Sequence, residues 1–368
     1  MTETLAPTTS GGTGSPPAPR RPGERWRPSK QGMIARGIVL AAILGFVAAA
    51  PLLVPAVQIN IVSRIAVFAI VALSLNILVG YTGQVSLGHS AFLGIGAFAT
   101  GFMITEAGLP WIAAIGAAIL VGGLSAVVLG FVALRVKGLY LALVTLAFGL
   151  FAERVLFNIT AITRGGAGMP ADRPAWAFED LTYAYVCIGA LLLVWALDWR
   201  LTSSRAGRSI QALRDSEKVA ASWGINVTNY KLLAFVLSGA IAGLAGGLFA
   251  SIEQLVSPIT FSFQLSLTFL LMVVIGGAAS RPGVVLGAIV LESTAFFLDL
   301  IADAYPGFPI DGSAGPLVGA VLLLAVLLRY PGGIAQLLGG VFRWLSFQKF
   351  KGRPRDTVPA GGGEDVRP

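Results

Sequence analysis

Residues 111–134 read WIAAIGAAILVGGLSAVVLGFVAL, an apolar stretch without one charged side chain. A helix crossing a hydrocarbon core of about 30 Å needs about 20 such residues. A helix apolar on every face over that length has no side to offer to water. Working outward, comparable runs lie at roughly 37–57, 61–79 and 86–104 before it. Others lie at roughly 139–158, 181–199, 231–252, 262–279, 283–301 and 315–329 after it. The pattern predicts an all-α polytopic membrane protein of about ten transmembrane helices. Run 86–104 is rich in Gly and Ser and run 315–329 is short, so eight or nine spans plus a re-entrant segment is the alternative.

Composition agrees. Of 368 residues, 55% are hydrophobic and 12% charged, with mean hydropathy +0.80. Soluble domains carry about 25% charged residues, so this chain lacks the charge to cover a water-facing surface. The 46 glycines suit helices that pack closely in a membrane. The net charge of +8 does not point to nucleic acid, because the basic residues sit in short loops between apolar runs. The single cysteine, Cys187, forms no intramolecular disulfide and no Cys metal cluster.

Residues 1–32, rich in Thr, Ser, Gly and Pro, read as a disordered cytoplasmic tail that buries no core. Residues 33–335 read as the transmembrane domain, with a cytoplasmic loop at 201–230, and 336–368 as a basic cytoplasmic tail. Ala48-Ala49-Ala50 has the form of a signal-peptidase site, yet Pro51 follows it and the run continues to Ala56, so it reads as a retained span. Loops rich in Lys and Arg stay in the cytoplasm. With the N-terminus inside, the inner segments hold Arg135, Lys137, Arg200, Arg205, Arg208, Arg214, Lys218, Lys231 and Arg281, besides both tails. The outer loops hold only Arg164 and Arg173, among acids such as Glu106, Asp172, Glu179 and Glu253. Both termini are therefore expected in the cytoplasm.

Loop 201–230 is too long to be a mere turn. Ile210, Leu213, Glu217 and Ala220 recur at helical spacing, which predicts a short helix across 208–222. Gly224 suits its C-cap, with Ile225 packing behind. Such a helix fits a groove on a partner protein; the plainer reading is a solvated connector.

Gly83, Gln84, Ser86, Gly88, His89 and Ser90 place polar groups at the edge of an apolar span. Such groups are costly at membrane depth unless they face protein or water. They either line a translocation path or pack helices, with His89 bonded to a backbone carbonyl. His89 has no Cys or carboxylate neighbours in sequence, so no metal site and no catalytic residue is expected. Gly239, Gly243 and Gly247 recur every four residues, and Gly283 with Gly287 repeats the spacing, which marks packing faces. Glu153 adjoins Arg154, while Glu292 and Asp299 share a helix face seven apart. Glu292 serves either a translocation path or interior polar bonding.

Four stretches resemble, in order, the branched-chain amino acid permeases of ABC importers, LivM type. They are Gly80-Tyr-Thr-Gly-Gln-Val-Ser-Leu-Gly-His-Ser-Ala-Phe92, Glu217 through Phe235, Ser238-Gly-Ala-Ile-Ala-Gly-Leu-Ala-Gly-Gly-Leu248, and Leu271-Met-Val-Val-Ile-Gly-Gly277. The resemblance covers about residues 60–335; outer loop 163–169 keeps the family's glycines without its usual Ser-Asp pair. It implies a permease subunit in a bacterial cytoplasmic (inner) membrane, importing branched-chain or related amino acids. Urea or short amides are the alternative cargo, and an ion-coupled secondary transporter the alternative class. It implies a second permease in a heterodimer, two ATP-binding subunits and an extracytoplasmic solute-binding protein. It makes segment 208–224 a coupling helix, with Arg208, Leu213, Glu217, Ala220, Ala221, Gly224 and Ile225 toward the ATPase. Independently of the resemblance, the chain contains no G-x-x-x-x-G-K-[ST] phosphate loop. ATP and Mg are therefore expected on partner subunits, with no cofactor on this chain.

Overall fold

The computed structural model describes residues 58–337 except 134, 135, 137, 165–167, 305–314 and 331, with five positions between 45 and 55. The expected tail 1–32, most of run 37–57 and all but the start of tail 336–368 lie outside the described residues. The described chain is mostly helical, with non-helical connections and one two-stranded bridge. The apolar helices are α1 (Ile59–Asn76), α2 (His89–Thr105), α3 (Trp111–Ala133), α4 (Leu139–Arg154) and α5 (Asp180–Ser203). Two short helices, α6 (Arg205–Asp215) and α7 (Glu217–Ser222), precede the apolar α8 (Val227–Glu253), α9 (Phe263–Gly276), α10 (Arg281–Ala304) and α11 (Gly315–Arg329).

Among the described residues six helices are long and apolar enough to cross a membrane, namely α1 with its extension to Thr82, α3, α4, α5, α8 and α10. α2, α9 and the apolar part of α11 are shorter. The chain is therefore an all-α polytopic membrane protein.

Two helices form the centre. α1 packs on α5, α8 and α10, and α8 lies between α2 and α3. Both are largely covered by other helices, α1 more completely than α8. The small residues of α8 make its position possible. A Cβ on Gly239 would stand 2.7 Å from the Gly122 carbonyl oxygen, and one on Gly247 2.7 Å from Thr100 Oγ1. Gly246, next to Gly247, presses against the Leu93 carbonyl of α2. Gly283 and Gly276 meet in the same way across α10 and α9, and Gly287 lies against the Met272 carbonyl of α9.

α1 does not end as an α-helix. Residues Ile77–Thr82 form one π turn, closed by Gly83 at φ 71°. At this end of the bundle sits loop 201–230. At the opposite end, β1 (Met169–Pro170) pairs antiparallel with β2 (Leu255–Val256), tying the chain before α5 to the chain after α8.

Candidate functional site

Loop 201–230 is seated on the bundle rather than hanging from it. Ser204 caps α6, its Oγ accepting the Gly207 N–H at 3.0 Å. The single helix expected across 208–222 is broken in two. Ser216 is extended (φ −166°, ψ 118°) and caps α7 by accepting the Val219 N–H at 3.3 Å. α6 turns Gly207, Ile210 and Leu213 inward, and Ile210 joins a cluster with Ile77, Leu78 and Tyr81. Arg214 Nη1 donates to the Gly80 carbonyl at 2.8 Å. Glu217 pairs with the buried Lys231 of α8.

Gly224 takes φ 78°, as the C-cap reading expects. Its N–H reaches the Ala221 carbonyl at 3.0 Å, and the Ile225 N–H reaches that of Ala220 at 3.1 Å, the paired bonds of a Schellman cap. Arg208, Ala221 and Gly224 face outward, and Ile225 is half-buried. Leu213 and Ala220, expected toward a partner, are instead buried in the chain's own core, because α6 turns its apolar side to the bundle and Ala220 is the one residue of α7 that faces the same way. Trp223, which the sequence reading passed over, is 82% exposed beside Val219. A Trp in a polar loop, outside any apolar period, was its available signal.

Segment 83–88 connects α1 to α2 as non-helical chain. His89 Nε2 lies 2.7 Å from Ser74 Oγ. Ser74 is eight residues before Thr82, so the segment climbs back about 12 Å along α1 before α2 starts. This explains why α2 is short. Non-helical backbone at membrane depth requires cover from protein or a water-lined cavity. Here Gln84, Ser86, Gly88 and His89 are buried, whereas Gly83 is exposed. The Leu87 N–H donates to Thr145 Oγ1 of α4 at 3.0 Å, and the Ser90 N–H to Ser266 Oγ of α9 at 2.9 Å.

The Ser74 hydroxyl gives its proton to the Val71 carbonyl at 2.7 Å. His89 must then donate through Nε2, leaving Nδ1 as a bare acceptor. The expected carbonyl partner of His89 is thus a hydroxyl. His89 Nδ1, Ser86 Oγ and Gln84 Oε1 have no hydrogen-bond partner among the described residues. Three unsatisfied buried groups within six residues set this segment apart, because buried polar atoms in folded proteins are normally paired.

A second polar node was not among the expected sites. Tyr81 of the π turn donates to Asp198 Oδ2 of α5 at 2.8 Å, and Arg281 Nε of α10 lies 2.9 Å from the same oxygen. Arg281 Nη2 also donates to Thr202 Oγ1 at 2.8 Å. Asn76 Oδ1 accepts the Ala279 N–H at 2.8 Å. Asp198 sits inside the run 181–199, and a carboxylate there was the signal to follow.

At the opposite end Arg64 of α1 bridges Glu292 of α10 at 3.0 Å and Glu253 of α8 at 3.5 Å. Glu292 is therefore part of an interhelical ion pair. Glu153 does more than adjoin Arg154: its Oε2 accepts the Phe263 N–H at 2.9 Å and caps α9. Arg173, read as one of two outer-loop cations, is buried. It donates to the Ser251 carbonyl at 2.9 Å and to Asn60 Oδ1 at 3.0 Å, and pairs with Asp180 at 2.5 Å. The side chain of Asp299 lies outside the described residues.

This arrangement has known relatives. The family described as branched-chain amino acid transport system / permease component matches residues 57–328. The high-affinity branched-chain amino acid transport system permease protein LivM of Salmonella typhimurium is 32% identical over 286 residues, 70% of this chain and 67% of that protein. LivM of Escherichia coli is 33% identical over 287 residues, with the same coverage of each chain. The permease protein LivH of Escherichia coli is 30% identical over 151 residues, 41% of this chain and 46% of that protein. A solved structure, PsaBC from Streptococcus pneumoniae in complex with Fab, is only distantly alike, at TM-score 0.42 and 17% identity over 80% of this chain and 99% of that one. The family match spans the apolar helices, the broken 83–88 segment and the seated 204–225 segment alike, and the chain belongs to the branched-chain amino acid transport system permease family.

Proposed function

We propose that the chain is a membrane-spanning subunit of an ABC importer that moves branched-chain amino acids into the cell. The energy comes from ATP hydrolysed, with Mg, on two partner subunits. A second permease completes the path, and an extracytoplasmic binding protein delivers the solute. Similarity to both LivM and LivH supports a pair of unlike permeases. The single observation that carries the reading, beside family membership, is the 204–225 segment. One face of it is fixed to the bundle, while Val219, Ala221, Trp223 and Gly224 are offered outward, as a docking surface for an ATPase requires. Arg208 lies on the same exposed side. Gly83, Gln84, Ser86, Gly88 and His89 are the proposed lining of the path; Glu292, held by Arg64, is a closure at its other end.

The uptake test uses right-side-out vesicles carrying the chain with its partner permease, ATPases and binding protein. They are expected to accumulate labelled leucine only when ATP is enclosed. Uptake that survives ATP depletion and collapses with a protonophore would establish an ion-coupled carrier instead. Uptake of urea or acetamide that leucine does not compete with would move the substrate to amides.

The proposed topology has ten spans, with both termini and loop 201–230 in the cytoplasm. Asp172 and Ser222 are both exposed, at opposite ends of the bundle. In a Cys187→Ala background, Asp172→Cys is expected to react with an impermeant thiol reagent in intact cells. Ser222→Cys is expected to react only after permeabilisation. Equal labelling of the two from outside would rule this topology out.

A further inference from the structure

The importer reading explains why something docks on α6 and α7, but not how a push there reaches the spans. The π turn Ile77–Thr82 supplies a route. Its wide ladder leaves the Gly80 carbonyl to Arg214 of α6 at 2.8 Å. Its other side carries Tyr81, whose hydroxyl holds Asp198 of α5, which in turn holds Arg281 of α10. One turn of chain is thus bonded to the docking segment on one flank and to two spans on the other.

The turn also has room and cause to change. A cavity of about 250 Å³ lies between it and α6, lined by Gly80, Tyr81, Gln211, Arg214, Asp215 and Ala279. A π turn holds one residue more than an α turn. Converting it to α geometry shifts the chain beyond it by about one residue, 1.5 Å along the axis and about 100° around it. Tyr81 would then leave Asp198. A close-packed contact transmits motion in such discrete steps, not by gradual bending.

We infer that the π turn Ile77–Thr82 is the transmission element of the transporter, with Arg214 as its input and Tyr81 its output to Asp198 and Arg281. These are positioning residues: they touch neither ATP nor substrate. The inference rests on the importer reading, so the parental complex is assayed beside the variants. Tyr81→Phe removes one oxygen from a buried ring, and Arg214→Ala removes the Gly80 contact from an exposed position; only variants that elute as the parental complex on size exclusion are scored. ATP hydrolysis and leucine uptake are measured in the same proteoliposomes of the full complex.

Each variant is expected to keep its ATPases on co-purification and to hydrolyse ATP within about twofold of the parental rate. Uptake per ATP is expected to fall about tenfold, within the usual range of coupling between sites. Arg214→Lys, which retains a donor, is expected to restore part of the ratio. Uptake and hydrolysis falling in proportion, or both remaining parental, would overturn the inference. No ATP-driven uptake by the parental complex would instead be a failure of the importer reading.

Discussion

Gly243→Leu is expected to remove most of the folded protein from the membrane. Gly243 lies where α8 touches two neighbours at once. Its missing side chain is filled by the Ala118 carbonyl of α3, and a Cβ there would also stand 3.2 Å from Gly122 Cα. From the other side, a Cβ on Gly96 of α2 would lie 2.7 Å from Gly243 Cα. A leucine would have to displace backbone, not the flexible end of a side chain. Overpacking where side chains can adjust costs about 1–3 kcal/mol, and rigid helix backbones place this site at or above about 3 kcal/mol. The control is Gly116→Leu on α3, where an added Cβ meets nothing within 4 Å. That variant is expected at parental yield by fluorescence-detected size exclusion. Parental yield and uptake for Gly243→Leu as well would mean that the α2–α3–α8 packing described above does not hold in the membrane.

Gly224→Arg is expected to insert normally and to lose the ATPase. No span is altered, and the chain itself leaves space, since an added Cβ at Gly224 meets nothing within 4 Å. The cost arises elsewhere. At φ 78° an L-residue is strained by about 1–2 kcal/mol, which loosens the cap that positions Trp223. The long cation would also stand in the proposed interface. Loss at a buried anchor costs about 2 kcal/mol or more, roughly 30-fold in Kd. Gly224→Asn separates the two effects, because Asn is tolerated in the left-handed region without the bulk. It is expected to retain most of the ATPase on co-purification. If Gly224→Arg held the ATPases and transported at the parental rate, segment 204–225 would be a connector, and the energy source would have to be sought elsewhere.

What could be read in the sequence alone is what depends on one segment at a time. The run 111–134 reads as a membrane-crossing helix because an uncharged stretch that long offers no face to water. The spacing of Gly239, Gly243 and Gly247 is a property of one helix, so the packing face followed without a partner being known. Gly224 likewise needed only the end of its own short helix to be read as a cap. Residue 216 was the local exception: Ser216 caps a second helix, and the apolar spacing from Ile210 to Ala220 runs straight across it.

Tertiary structure alone decided the partners of the polar side chains. Glu292 and Arg64 are 228 residues apart, and Tyr81 and Asp198 are 117 apart. Nothing local distinguishes an ion pair from a proton site until the helices are neighbours. Burial of Leu213 and Ala220 against the bundle, exposure of Trp223, and the return of residues 83–88 to the level of Ser74 are of the same kind. Each follows from which surfaces meet, because the energy of a buried polar or apolar group belongs to the contact and not to the residue. Periodicity and charge placed the long apolar helices among the described residues; only the contacts between them could say what each polar atom holds.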